Sequence, residues 1–196
     1  MTYRVDPAAL DTLFFKARSQ NGWTNQPVSE EELRDLYNLM IYGPTSANTQ
    51  PARIVFLTTP EAKERLRPAL MEGNLKALDA PVIAIIGYDL EFYEKIPELF
   101  PHNPGFRDLF VNIPAMVEPH AFRNSSLQGA YFIIAARAVG LDVGPMSGFD
   151  NAKVDAEFFP DGKVKTNFIA ALGHGDASKV MDRLPRLSFE DGAKVL

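Results

Sequence analysis

Cysteine is absent from the 196 residues of this sequence. Its absence excludes disulfide bonds, thiolate nucleophiles and cysteine-ligated zinc or iron–sulfur centres. Histidine is scarce as well, because His102, His120 and His174 are the only three, and they lack the short spacing of a histidine-ligated metal site. We therefore expect a protein that binds no metal.

The sequence also lacks an apolar run long enough to span a membrane. Its first residues, "MTYRVDPAALDTLF", contain no hydrophobic core of the kind found in signal peptides, so we expect a cytoplasmic protein. A formal net charge of −5 argues against nucleic acid as the main partner, because phosphate neutralisation requires a clustered basic surface. A net charge of this size is compatible with small, local basic sites.

What the sequence does contain is enough apolar material for a core. Hydrophobic residues make up 46% of it, and its length is that of one large domain. Strand-like and helix-like segments alternate without an internal repeat, a linker or the doubly wound half of a nucleotide-binding fold. We predict one domain of two or three layers of helices and strands over residues 1–196.

Capping signals predict the first two helices. One begins at Pro7, and the other begins with a capping box formed by Ser29 and Glu32 and ends at Gly43. The longest uninterrupted helical pattern, residues 122–139, is apolar around much of its circumference. Such a helix must lie in the centre of the domain or in a subunit interface.

Apolar runs predict strands at 54–58, 81–88 and 166–173. The first two are continuous, which indicates strands that are buried on both faces of a sheet. Residues 91–120 differ, because five prolines divide them into short pieces rich in phenylalanine and tyrosine. We predict an irregular insertion there that covers a site.

Three kinds of segment are candidates for ligand binding, and each has a simpler explanation. "GHGDAS" (173–178) follows a strand as a dinucleotide fingerprint does, but it lacks the third glycine, so a simple turn is favoured. "GPMSGFD" (144–150) lacks the glycine spacing of a nucleophile elbow, and either offers backbone N–H groups to a flat ligand or forms an ordinary turn. The arginines of 17–23 and of the tail either bind a phosphate or face solvent.

No residue identifies itself as a nucleophile, a metal ligand or a catalytic acid. The sequence offers instead several donor-rich segments and two separate sets of arginines. This combination is typical of a protein that binds and orients a cofactor, while the cofactor carries the chemistry.

Five segments, in this order along the chain, resemble the FMN-dependent nitroreductase family. They are "ARSQNGW" (17–23), "GPTSANTQPARIVF" (43–56), "EGN" (72–74), "GPMSGFD" (144–150) and "RLPRLSFE" (183–190). The resemblance implies an α+β nitroreductase-like fold in which helices flank a central mixed sheet. It also implies a homodimer with FMN at the subunit interface and a C-terminal segment exchanged with the partner subunit.

The same resemblance assigns cofactor contacts to the residues that match the family's motifs. These are Arg18, Ser19, Asn21, Thr45, Ser46, Asn48, Gln50, Asn74, Pro145, Met146, Ser147, Gly148, Arg183 and Arg186. Pro145 and Met146 are expected to back one face of the flavin ring, and the backbone N–H of Ser147 to point toward flavin N5. Ala17 and Asn21 stand where the family usually has arginines, and Ser147 where it often has glutamate.

The closer match within the family is to malonic semialdehyde reductases of pyrimidine degradation. It implies ping-pong hydride transfer from NADH or NADPH through FMN to malonic semialdehyde, which gives 3-hydroxypropionate. The sequence identifies no proton donor, and Arg107 or Arg123 is expected to bind the substrate carboxylate. The alternatives are a broad-specificity nitro- or quinone reductase and a flavin-binding protein without turnover.

Overall fold

A four-stranded antiparallel sheet forms the centre of the structure, a computed structural model that describes residues 4–196. The strands are β1 (Ala52–Leu57), β2 (Val82–Asp89), β3 (Asp142–Met146) and β4 (Val164–Gly173). They lie in the spatial order β1-β2-β4-β3, and every neighbouring pair is antiparallel. The expectation of a mixed sheet is therefore wrong for these strands; the parallel pairing is a single bridge between Ser19 and Val143.

Helices cover both faces of the sheet. They are α1 (Pro7–Leu10), α2 (Glu30–Met40), α3 (Pro60–Leu66), α4 (Ile96–Leu99), α5 (Arg107–Asn112), α6 (Val117–Ala138), α7 (Asn151–Phe158) and α8 (Phe189–Gly192). The predicted capping box of α2 is confirmed, because the N–H of Glu32 donates to Ser29 Oγ and Glu32 Oε2 accepts from the N–H of Ser29. Within residues 4–196 no helix is long and apolar enough to cross a membrane. Residues 1–3, part of the stretch in which no signal peptide is expected, lie outside the described chain.

The position of β2 in the centre of the sheet explains why its residues form a continuous apolar run. Ala84 and Ile86 belong to a cluster shared with α2 and α6, whereas Ile83 and Ile85 belong to a cluster shared with α3 and α7. Successive side chains of a strand point to opposite faces, so a strand covered on both faces needs apolar residues at every position. The layers are therefore helix, sheet and helix.

Two strand predictions require correction. Residues 54–58 were expected to be buried on both faces, but β1 is an edge strand in which only Leu57 is buried. An apolar run therefore does not distinguish a strand at the edge of a sheet from a strand in its centre. The pattern also fails to predict β3, because Gly144 and Pro145 interrupt it; an edge strand tolerates proline, since its outer N–H groups pair with no neighbouring strand.

The longest helix, α6, begins at Val117 rather than at residue 122. Pro119 fits in its first turn, where a missing N–H breaks no helical hydrogen bond. One side of α6 is central, with Phe132 completely buried, while Phe122, Leu127 and Tyr131 remain 39–49% exposed. The helix therefore lies in the core and also presents an apolar surface.

Residues 91–120 form short helical pieces with an aromatic core of their own, which continues into the start of α6. Phe92, Ile96 and Phe110 are buried there beside Tyr88. The ring of Phe92 stacks on His120 with centroids 4.9 Å apart. This packing attaches the insertion to the sheet and to α6; that the insertion covers a substrate stays a prediction.

Candidate functional site

A pocket of about 430 Å³ lies where the chain after α1, the end of α6 and the start of the C-terminal tail meet. Four arginines line it, Arg18, Arg137, Arg183 and Arg186, together with Ser19 and Asn21. We call it the arginine pocket. Five of these six residues were predicted from the sequence as cofactor contacts, and the fold brings them together; Arg137 was not predicted.

Backbone carbonyls hold the arginines in place. Arg18 Nη2–H donates to the carbonyl of Met181, and Arg183 Nη2–H donates to those of Phe15 and Ala17 at 2.7 and 3.0 Å. The two arginines thus fasten the tail and the N-terminal segment to each other. A guanidinium has five N–H donors, so each of them keeps donors for a ligand.

The charge of the arginine pocket is not neutralised by ion pairs. Within residues 4–196 none of its four arginines pairs with a carboxylate, and Asp182 is the one carboxylate among its described lining residues. Arginines elsewhere do pair: Arg34 with Glu30, Arg53 with Asp89, Arg65 with Glu157, Arg67 with Glu64 and Arg107 with Glu94. A cluster of unpaired guanidinium groups attracts an anion, above all one with oxygens that accept paired hydrogen bonds.

The strand β3 continues the site beyond the arginine pocket. Ser19 forms a bridge with Val143, and the N–H of Gln20 donates to the carbonyl of Val143 at 3.0 Å. A side chain at Gly144 would collide with the carbonyl of Gln20, so glycine is required for this close approach. The pairing places Ser19 beside Val143 near the start of β3, and the predicted ring contacts Pro145 and Met146 follow at the other end of this short strand.

Asn21 and Gly148 lie in the adjoining loops, and Asn74 lies in a short 3₁₀ helix, Glu72–Asp79. Asn74 Nδ2–H donates to the carbonyl of Gly148 at 2.9 Å, and Lys76 Nζ–H donates to Asn21 Oδ1 at 2.5 Å. The amide N–H groups of Asn21 have no hydrogen-bond partner within residues 4–196 and remain available. Ser147 is exposed next to these groups. The structure thus joins one set of predicted contacts from three distant parts of the sequence.

The loop of residues 43–53 is held in an unusual backbone conformation. Ala47, Asn48 and Gln50 have φ angles of 48°, 51° and 40°. A non-glycine residue in the left-handed region is destabilised by roughly 1 kcal/mol or more, so other contacts must stabilise the loop. Some of these lie inside it, because Thr45 Oγ1 accepts from the N–H of Gln50 and Asn48 Oδ1 accepts from Gln50 Nε2–H.

The remaining contacts come from a row of polar side chains on α6. Asn124 Oδ1 accepts from the N–H of Ser46 at 2.8 Å, and Gln128 Oε1 accepts from the N–H of Ala52 at 2.9 Å. His120 Nε2 lies 3.0 Å from Thr49 Oγ1. Asn124 and Gln128 are each only 2% exposed. Sequence reasoning missed this row, although polar residues four apart in an apolar helix were a readable signal.

Most of the predicted contacts in this loop already have protein partners. Asn48 Nδ2–H donates to the carbonyl of Leu99, and the carboxamide oxygen of Asn48 is taken by Gln50. Ser46 is exposed, and its hydroxyl forms no hydrogen bond within residues 4–196. Ser46 is therefore the loop side chain that is most available to a ligand.

The part of the loop that carries the predicted contacts lies against the N-terminal half of α6, whereas the arginine pocket lies at its C-terminal end. Asn124 holds the loop, whereas Arg137 lines the pocket. At a rise of 1.5 Å per residue, these two positions are about 20 Å apart along the helix axis. The structure therefore does not bring Thr45, Ser46, Asn48 and Gln50 together with the other predicted contacts of the same chain.

The two arginines predicted to bind substrate differ in their surroundings. Arg107 forms two hydrogen bonds with the carboxylate of Glu94, at 2.9 and 2.7 Å, and this pairing raises the pKa of Arg107. Arg123 is exposed beside Pro119 and Phe122 and has no ion pair within residues 4–196. Of the two, Arg123 has the charge that is free for a substrate.

Comparisons with known proteins identify the family of the chain and the fold that it shares with solved structures. The family model described as Nitroreductase family matches residues 16–174. Among solved structures, one from Exiguobacterium sibiricum 255-15 in complex with FMN superposes with a TM-score of 0.87 at 18% identity, covering 100% of both chains. A gut-bacterial enone reductase of fatty acid saturation has a TM-score of 0.84 at 22% identity, with 98% of this chain and 99% of that chain covered.

A third structure, from Staphylococcus epidermidis ATCC 12228, is named as a candidate NAD(P)H:FMN oxidoreductase. It has a TM-score of 0.82 at 21% identity and covers 100% of this chain and 98% of its own. At such identities the likeness concerns the fold. It confirms the nitroreductase-like α+β fold that the five sequence segments implied.

Proposed function

The chain belongs to the nitroreductase family, and from that premise we propose that it is an FMN-dependent NAD(P)H oxidoreductase that reduces a small aldehyde acid, malonic semialdehyde. The observation that carries the cofactor assignment is the arginine pocket. It gathers four guanidinium groups with no ion-pairing carboxylate in the described chain, together with Ser19, which pairs with Val143 of β3. A dianionic phosphate ester with a flat ring attached fits this arrangement of charges and loops.

The residues present have the chemistry that such a group requires. Arg18 and Arg186, with the hydroxyl of Ser19, would hold the phosphate. The amide groups of Asn21 and Asn74 would bind the polar edge of the ring, and Pro145 and Met146 would pack against its face. FMN, when bound, supplies a two-electron carrier between the nicotinamide and the second substrate. The protein's part is to bind and orient the reactants and to exclude water.

A second copy of the chain would complete the site. Ser46 lies beside Asn124, about 20 Å along α6 from Arg137 in the arginine pocket of its own chain, so its free hydroxyl can serve only a cofactor held elsewhere. The exposed apolar side chains Phe122, Leu127 and Tyr131 of α6 supply a surface for association. We propose a homodimer in which each FMN contacts the pocket of one subunit and the loop of the other.

The C-terminal tail supports exchange between the subunits. Leu184, Leu187 and Phe189 are 64–77% exposed. Removing such apolar side chains from water would lower the free energy of the protein. The outer edge of β1 carries unpaired backbone groups, and an apolar groove lined by Leu33, Tyr37 and Phe56 adjoins it. We propose that the tail of each subunit covers this edge of its partner.

The cheapest test of the cofactor assignment is the absorbance spectrum of the purified protein with added FMN. We expect retained flavin, and rapid mixing with NADH or NADPH should bleach its absorbance. Protein that stays colourless with added FMN would overturn the cofactor assignment. Flavin that binds but stays oxidised with both nicotinamides would favour a flavin-binding protein without turnover.

The substrate is tested by comparing kcat/KM for malonic semialdehyde with that for nitroaromatics and quinones on one flavoprotein preparation. Higher values for the nitroaromatics or quinones would favour the broad-specificity alternative. Substitution of Arg123 by alanine should raise KM for the aldehyde acid about tenfold or more, because a carboxylate loses its cation, and leave KM for NAD(P)H unchanged. Arg107→Ala is the matched comparison, and equal effects of Arg123→Ala on both substrates would eliminate Arg123 as the carboxylate ligand.

A further inference from the structure

Arg137 was not expected to take part in the site, because it lies inside the apolar run "YFIIAARAV". In the structure it occupies the last turn of α6, and its half-buried side chain leaves the helix toward the arginine pocket. Arg137 Nη1–H donates to the carbonyl of Leu13 at 2.8 Å. This is its one recorded hydrogen bond within residues 4–196, so its other N–H groups remain available.

The position is electrostatically unfavourable for a lone cation. Burial lowers the pKa of Arg137; Asp142 opposes that effect, and the neighbouring Arg183 adds to it. No carboxylate forms an ion pair with Arg137 in the described chain, and Arg18 and Arg183, which line the same pocket, carry the same charge. An arginine stays protonated even so. A bound anion would remove the repulsion among these groups.

A simpler role for Arg137 would be to stabilise the end of α6. A cation in the last turn of a helix interacts favourably with the helix dipole. Its hydrogen bond, however, goes to Leu13 in the segment before Arg18, and not to a carbonyl of α6. The side chain therefore belongs to the contacts that assemble the pocket.

We propose that Arg137 is an anion-binding residue of the arginine pocket, whose guanidinium contributes to holding the terminal phosphate of the flavin nucleotide. The proposal rests on the proposed function. It makes Arg137 a determinant of the preference for a phosphorylated flavin over riboflavin, because riboflavin has the same ring and ribityl chain without the phosphate.

The test compares the dissociation constants of FMN and riboflavin, measured by flavin fluorescence, for the unmodified protein, Arg137→Gln and Arg137→Lys. Gln keeps a donor for the carbonyl of Leu13 but loses the charge, while Lys keeps the charge. We expect Arg137→Gln to weaken FMN binding about tenfold to a hundredfold and to leave riboflavin binding unchanged, with a smaller effect of Arg137→Lys. Arg65→Gln removes an exposed, ion-paired arginine of α3 and should leave both constants unchanged.

The outcomes separate the inference from the function beneath it. Unmodified protein that binds neither flavin would overturn the proposed function itself. Unmodified protein that prefers FMN, together with an Arg137→Gln variant that keeps the preference, would overturn the role of Arg137 alone. An equal loss of both flavins in Arg137→Gln would reduce Arg137 to a support of the Leu13 segment.

A measurement on the unmodified protein keeps the inference testable if Arg137→Gln does not fold. The ¹⁵N resonance of the arginine Nε–H that is missing from Arg137→Lys identifies Arg137. This resonance should shift on addition of FMN and stay in place on addition of riboflavin. A resonance that FMN does not move, in protein whose flavin fluorescence shows binding, would overturn the proposal.

Discussion

The two ends of α6 use polar side chains in opposite ways. Away from the C-terminal end of α6, Asn124 and Gln128 are buried, and their side-chain oxygens accept hydrogen bonds from backbone N–H groups of the loop of residues 43–53. At its C-terminal end, Arg137 donates one N–H to a carbonyl and forms no ion pair with a carboxylate of residues 4–196. The first end fixes a backbone conformation, and the second concentrates positive charge.

This difference shows that a polar residue in a binding motif need not be a ligand contact. Asn48 matches the family's motif, yet both ends of its carboxamide are engaged by Leu99 and Gln50. The arginines of the pocket also bind protein groups, but each has more donors than partners. Whether a side chain is available is therefore decided by its count of unused donors and by the charge around it.

The largest expected effect comes from removing charge from the arginine pocket at the C-terminal end of α6. Arg18→Ala together with Arg186→Ala should weaken FMN binding by about a hundredfold or more, since two charge-assisted contacts to the phosphate are lost. Riboflavin affinity should change little. Fluorescence titration with both flavins is the measurement. FMN affinity that survives the double substitution would place the phosphate outside the arginine pocket.

The next effect concerns stability at the other end. Asn124→Ala removes the buried acceptor of the Ser46 N–H and should lower the free energy of unfolding by about 1–3 kcal/mol, measured by urea denaturation. Asn112→Ala makes the same chemical change at the exposed end of α5, where the side chain of Asn112 forms no hydrogen bond within residues 4–196, and should have almost no effect. Equal stabilities of the two variants would show that α6 does not hold the loop.

A smaller effect is expected from the loop's own side chains. Ser46→Ala combined with Asn48→Ala should weaken FMN binding about tenfold, as one or two neutral contacts are lost, and leave the protein folded. Flavin titration and size-exclusion chromatography measure the two properties. Undiminished FMN affinity would make the loop a structural connector, and the comparison between the ends of α6 would then concern the fold alone.

The smallest effect is a pH dependence at His120. Burial, and to a lesser extent Arg123, lower the pKa of His120 from 6.5. The unfolded chain therefore binds a proton at a higher pH than the folded chain does, so stability should fall as the pH decreases below about 6.5. His120→Gln should lessen this fall in melting temperature between pH 7 and pH 5.5. An identical pH profile for the variant would exclude His120 as its source.

Local signals predicted much of the fold. The capping box of Ser29 and Glu32, the run of β2 and the long helix all formed, because caps and apolar periodicity act over a few residues. The edge position of β1, which leaves it half-buried, and the existence of β3 could not be predicted, since both depend on which strand lies at the edge. The pairing of Ser19 with Val143 depends on residues that are far apart in the sequence.

The sequence by itself determined the residue types of the candidate site: five motif segments, their arginines, and the absence of cysteine. Only the tertiary structure decided which of them share a pocket. It grouped Arg18 with Arg183 and Arg186 and added Arg137 from an apolar helix. It also placed Ser46 beside Asn124, about 20 Å along α6 from Arg137. Motifs specify the residue types of each short segment, whereas the distances between segments and the balance of charges in a pocket depend on long-range packing.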